Sequence, residues 1–205
     1  MYNKFLGITL FLLFNNLFSQ SFVVEVGGYI PTDMSLKVET NIENYSGKKS
    51  ETIYTAPYFQ LSLSYLHKVA EILEKPLSVG FSIGYEGEAR SIESFKPIGF
   101  SNIPLVAVLS YDYFKLKDVA FSSRLSLGYN IIIPVSELGK EWDRNEGGVY
   151  FSLSTGITFS DNYTFFLGFS NSENIQGEDL SNGTYISNIY SHSKVTISLG
   201  KSIDF

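Results

Sequence analysis

Beyond residue 20 the chain sorts its side chains with a period of two, and this alternation restricts its fold more than any other feature. In Leu77-Ser78-Val79-Gly80-Phe81-Ser82-Ile83-Gly84-Tyr85 every odd position is large and apolar, and every even one is Ser or Gly. The same pattern runs through Phe59–Tyr65, Phe121–Ile133, Phe151–Phe159 and Val195–Gly200. A helix would scatter these residues around its circumference, whereas a strand places successive side chains on opposite faces. Eight such segments are expected, at 21–32, 55–67, 76–90, 102–114, 119–135, 147–160, 163–174 and 185–205. The connections alternate too. Lys115–Asp118 and Ser160–Asn162 are tight, and His67–Lys75 reads as a somewhat longer link with a helical turn. Asp33–Tyr54, Ser91–Ser101, Ser136–Gly147 and Ser172–Thr184 are long and polar. An even strand count then gathers short turns at one end and long loops at the other. The expected fold is all-β: an eight-stranded antiparallel up-and-down barrel forming one domain over 20–205.

The first nineteen residues stand apart. Lys4 precedes the apolar run Phe5–Phe14, and the small Ser19 suits a cut before Gln20, the signature of a cleaved secretory signal peptide. The run is too short for a spanning helix, which needs about 20 apolar residues.

Two soluble and membrane readings compete for such a barrel, and the direction of the apolar face separates them. One face of every segment carries Phe, Leu, Ile, Val or Tyr, and the other carries mainly Ser, Gly, Thr and Asn. A soluble lipocalin-like binder would line its exterior with Lys and Glu, yet charged residues make up only 18% of this chain, against about 25% in soluble domains. Turned outward, the bulky face meets lipid and the small polar face fills a narrow lumen. The aromatics fit two girdles at the edges of an apolar band. Tyr65, Tyr111, Tyr113, Tyr163 and Phe205 fall at the short-turn end of the outward face, and Tyr58, Tyr85 and Tyr129 toward the long-loop end.

The last strand reads Val195-x-Ile197-x-Leu199-x-Lys201-x-Ile203-x-Phe205. This resembles the terminal strand of small outer-membrane barrels of the porin-like, OmpA/OmpX-like family, over essentially the whole mature chain. The resemblance implies recognition of the terminal Phe by the barrel-assembly machinery, short turns in the periplasm and long loops outside the cell. Lys201 departs from the family's apolar row.

Five charges fall on the inward face: Glu25, Glu86, Asp112, Arg124 and Lys194. They are expected to form a salt-bridge network that fills the lumen, because an unpaired buried charge is costly. The alternative, a lipid-modifying barrel enzyme, would centre on His192, flanked by Ser191 and Ser193, but the parity of its strand turns that ring inward. The acids in Glu86–Glu88 and Gln176–Asp179 lack the ligand spacing of a calcium loop and read as solvated loop residues. No cysteine is present to anchor a lipid, bridge or bind zinc, and a net charge of −6 offers no stripe for nucleic acid. No cofactor or metal is expected, and the barrel is expected to be monomeric in outer-membrane lipid. Within the first long loop, Leu36–Glu39 and Thr52–Thr55 alternate and suggest a projecting hairpin, either an extension of strands 1 and 2 with no partner or a candidate edge for a surface partner.

Overall fold

The computed structural model describes residues 20–30, 33–42, 45–91, 100–135, 143–159, 162–179 and 184–204. The proposed signal peptide, Phe205 and most of the second and third long loops lie outside them.

Among the described residues ten strands occur in chain order: β1 (Gln20–Ile30), β2 (Asp33–Ile42), β3 (Tyr45–Tyr54), β4 (Tyr58–Ile72), β5 (Lys75–Glu86), β6 (Phe100–Leu116), β7 (Val119–Pro134), β8 (Arg144–Phe159), β9 (Tyr163–Asp179) and β10 (Tyr185–Asp204). Each of β1 and β4 to β10 pairs antiparallel with its neighbours, and β1 closes the ring on β10. The eight segments thus form an eight-stranded barrel. β2 and β3 are the first long loop. Their register carries on from that of β1 and β4 without a slip, from Tyr29 opposite Tyr58 to Asp33 opposite Tyr54. The hairpin is therefore an upward extension of the first strand pair, and β2 replaces β1 as the neighbour of β10 from Met34 to Asn41.

The register fixes the size of the ring. Gln20 lies opposite His67, and the row continues through Val79, Leu109, Leu125, Leu153, Phe169 and Val195, returning to β1 at Ile30. The return is displaced by ten residues, from 20 to 30. Ten residues at about 3.3 Å, against eight strands about 4.8 Å apart, tilt the strands by about 40° and give a backbone radius of about 8 Å. Such a cylinder has room for the side chains of its own inner face and little else.

The alternation sorts as expected. Val24, Leu61, Phe81, Leu127, Leu153 and Leu167 look out and are exposed, while the neighbouring Val23, Ser64, Ser82, Ser126 and Ser170 are buried. Phe22 to Ile30 on β1 spans about 20 Å along the axis at that tilt, close to the ~25 Å apolar band of a transmembrane barrel. A ring of bare Phe, Leu, Ile and Val of this height requires hydrocarbon around it. The protein is a transmembrane β-barrel.

Several sequence expectations change. The link at His67–Lys75 contains no helical turn. β4 runs on to Ile72 through a bulge between Lys68 and Ala70, and Leu73 and Glu74, both with positive φ, turn the chain in two residues. Two consecutive residues of positive φ match the right-handed twist of a hairpin. At the other end β8 begins at Arg144 and β9 continues to Asp179, so much of the expected loop is strand rising above the apolar belt. Gln176 is accordingly buried rather than solvated, and its Nε2 donates to Asn145 at 3.0 Å.

Candidate functional site

The interior is stacked in layers. At the short-turn end Val23 and Leu66 form an apolar floor, with Val108, Val106 and Tyr150 continuing the cluster upward. Just above it Arg124 on β7 reaches across the barrel and donates from Nη1 to Glu25 on β1. Ser198 on β10 donates to the other Glu25 oxygen at 3.0 Å. The guanidinium lies 4.3 Å over the ring of Phe166, a flat apolar partner that lets its charge be shared without water. Phe166 fits because two strands give way: a Cβ on Gly156 would stand 2.7 Å from its ring, and one on Gly200 3.2 Å.

Four residues further along β1, about 10 Å up the tilted axis, a second charged layer centres on Glu86. Lys194 Nζ donates to Glu86 Oε2 at 2.6 Å, Tyr29 donates to Oε1, and Asn102 Nδ2 donates to Oε2 at 3.3 Å. The ammonium also lies over the rings of Tyr29 and Tyr150, at 4.7 and 5.8 Å. Between the two layers the inner face is mostly Ser, Gly and Thr with Val106 and Val108 among them, and a cavity of about 80 Å³ opens there, lined by Ser62, Ser64, Ser82, Ser126, Ser152 and Thr196 among others. It has room for a few water molecules. Each carboxylate thus meets a cation and further donors, which is what makes a buried charge tolerable.

A third layer closes the long-loop end. Met34, Ala89, Phe100, Ile132 and Tyr190 pack together, with Leu36, Ile53 and Tyr58 against them. His192 lies beneath this cap, with Nε2 3.3 Å from Thr55 Oγ1 and Nδ1 3.3 Å from Tyr58 OH. The ring is buried in protein and gives no opening toward lipid.

Four of the five inward charges are brought together as two pairs, Glu25 with Arg124 and Glu86 with Lys194. Asp112 is not part of either; it sits half-buried near the short-turn mouth. Of the girdle residues, Tyr65, Tyr111, Tyr113, Tyr163, Tyr85 and Tyr129 face outward. Tyr113 hydrogen-bonds Thr155 across strands at 3.2 Å, and Tyr129 donates to the Gly147 carbonyl at 2.6 Å. Tyr58 is corrected: it points into the lumen, its ring 4.6 Å from that of Tyr29. The alternation itself carries that signal, since Tyr58 precedes the outward Phe59. Phe166 and the apolar cap were not singled out from the sequence. Phe165 and Phe166 are both aromatic, so composition cannot say which one looks inward.

Above the belt the charges pair on the surface. Lys37 and Lys48 donate to Glu39 at 2.6 and 3.0 Å, and these bonds hold its carboxyl below the usual range. Arg144 grips Glu146 with two bonds, at 2.7 and 2.9 Å, with the same effect.

A closed ring of eight tilted strands, an apolar belt, flanking tyrosines and long strand extensions at one end only now stand together. This is the build of a small outer-membrane β-barrel. No family model and no curated protein matches the chain. Among solved structures it is similar to Neisserial surface protein A, with 13% identity, a TM-score of 0.43, and 88% of this chain and 96% of that one covered. It is also similar to the outer membrane protease OmpT from Escherichia coli, with 8% identity, a TM-score of 0.40, and coverages of 91% and 97%.

Proposed function

We propose that the protein is an integral outer-membrane barrel with a structural or surface-interaction role, and that its lumen passes little or nothing. The observation that carries this is the layered interior: two buried ion pairs between an apolar floor and an apolar cap, inside a cylinder of about 8 Å radius. In this reading the amino-terminal segment directs export, the last strand engages the barrel-assembly machinery, and the short turns face the periplasm. The β2–β3 hairpin would then stand outside the cell. β10 covers one of its edges, and no described strand pairs with the outer edge of β3. That edge is the best-supported place for a surface partner to add a strand.

Two measurements test it. In planar bilayers the purified protein should give no stable large channel; a reproducible, long-lived open state would replace this reading with that of a porin. On intact cells a Ser46→Cys variant should react with an impermeant thiol reagent and an Asp118→Cys variant should not. The reverse pattern would invert the topology.

A further inference from the structure

On the lipid-facing row of β10 the residues run Ile197, Leu199, Lys201, Ile203, so a single ammonium interrupts an apolar stripe. Its cross-strand neighbours are Val24 on β1 and Tyr163 on β9. The ammonium does not stay in hydrocarbon. It lies 4.6 Å over the Tyr163 ring and donates to the Tyr163 hydroxyl at 3.2 Å. Tyr163 begins its strand at the short-turn rim, so the charge is drawn to the level where hydrocarbon gives way to headgroups.

An ammonium has three protons to donate, and Tyr163 takes one. No carboxylate lies within ion-pair distance of Lys201 among the described residues. The acid nearest in sequence, Asp204, is engaged by Asn162 and Ser202 at 3.2 and 3.0 Å. A cation at the edge of hydrocarbon is expensive unless an anion meets it, and the anion present at that level of a bilayer is the phosphodiester of a phospholipid.

We propose that Lys201 and Tyr163 form a binding site for the phosphodiester of a phospholipid in the leaflet facing the short turns. The ammonium pairs with one phosphate oxygen. The tyrosine hydroxyl accepts from the ammonium and so keeps its own proton to donate to a second phosphate oxygen. The proposal rests on the membrane reading above and adds a fixed lipid to it.

The test uses the folded full-length barrel in detergent micelles doped with phosphatidylglycerol, with retained lipid counted by native mass spectrometry. The wild type should hold one lipid whose occupancy falls at least fivefold in Lys201→Met and about twofold in Tyr163→Phe. Lys201→Arg should keep it, which separates loss of the site from poor folding of the last strand, and Lys117→Met on an exposed turn should leave it unchanged. Millimolar inorganic phosphate should not displace it. Wild-type occupancy in a folded Lys201→Met barrel would overturn the site while leaving the membrane reading intact. So would an equal loss in Lys117→Met, which signals diffuse attraction, or displacement by inorganic phosphate, which signals a free-anion site. A chain that folds without any amphiphile would instead overturn the membrane reading itself.

Discussion

Lys194 and Glu86 are 108 residues apart in the chain, yet their side chains meet at 2.6 Å with exposures of 0% and 1%. The pair is the centre of the upper polar layer, and breaking it leaves a charge with nowhere to go. Lys194→Met should destabilise the barrel by about 3–5 kcal/mol, because Glu86 remains buried with neutral donors only. Replacing both, as Lys194→Met with Glu86→Leu, should recover much of the loss. Urea titration in lipid vesicles measures both, and a double variant no better than the single one would mean that packing, not the stranded charge, sets the cost.

Phe81 is 62% exposed in mid-belt, while its neighbour Ser82 is buried. Phe81→Arg should cost about 2–4 kcal/mol, and Phe81→Trp little, since lipid adapts to either ring. A strongly destabilising Phe81→Trp would point to a close-packed protein core on that side, where overpacking costs about 1–3 kcal/mol. Ser82→Ala is not silent in this arrangement. Ser82 accepts from Ser64 at 2.9 Å and donates to the Leu63 carbonyl at 3.2 Å, so a loss of about 1 kcal/mol is expected.

Phe166 occupies space that Gly156 leaves open. Gly156→Ala should cost about 1–3 kcal/mol by forcing its methyl against the ring. The cost should shrink when Phe166 is already Leu. Additive effects in a double-mutant cycle would show that the two residues do not share the space.

The turn at Leu73–Glu74 asks two side-chain-bearing residues to hold positive φ, 51° and 61°. Leu73 is also 86% exposed, so removing it sacrifices no burial. Asn-Gly at these positions should raise stability by about 1 kcal/mol. A decrease would show that Leu73 is buried against the membrane surface or a neighbour.

The hairpin should respond to acid through Glu39. Its carboxyl is held below the usual value of 4.5 by hydrogen bonds from Lys37 and then Lys48. The unfolded hairpin therefore takes up a proton at higher pH than the folded one. The stabilisation is complete above the ordinary glutamate range and is lost as pH falls through the lowered value. A carbon-detected NMR titration should place the Glu39 midpoint below 4.5, and Lys37→Met should move it upward. A midpoint unchanged by that substitution would remove Lys37 as its cause.

The sequence by itself determined strands, faces and ends. Alternation of bulky and small side chains is a local property, so Phe81 out and Ser82 in could be read without any partner strand. Lengths of polar stretches likewise separated the short-turn end from the long-loop end, and the repeat in Asp33–Tyr54 foretold its hairpin. What only the tertiary structure decided is everything that depends on height around the ring. The ten-residue displacement on closing the barrel sets which inward residues share a level. It puts Arg124 beside Glu25 and leaves Asp112 nearer the mouth, although all three lie toward one end in sequence. It also brings Gly156 and Gly200 to the same ring, where their missing side chains admit Phe166. Shear is a sum over eight strand pairings, so no one segment contains it.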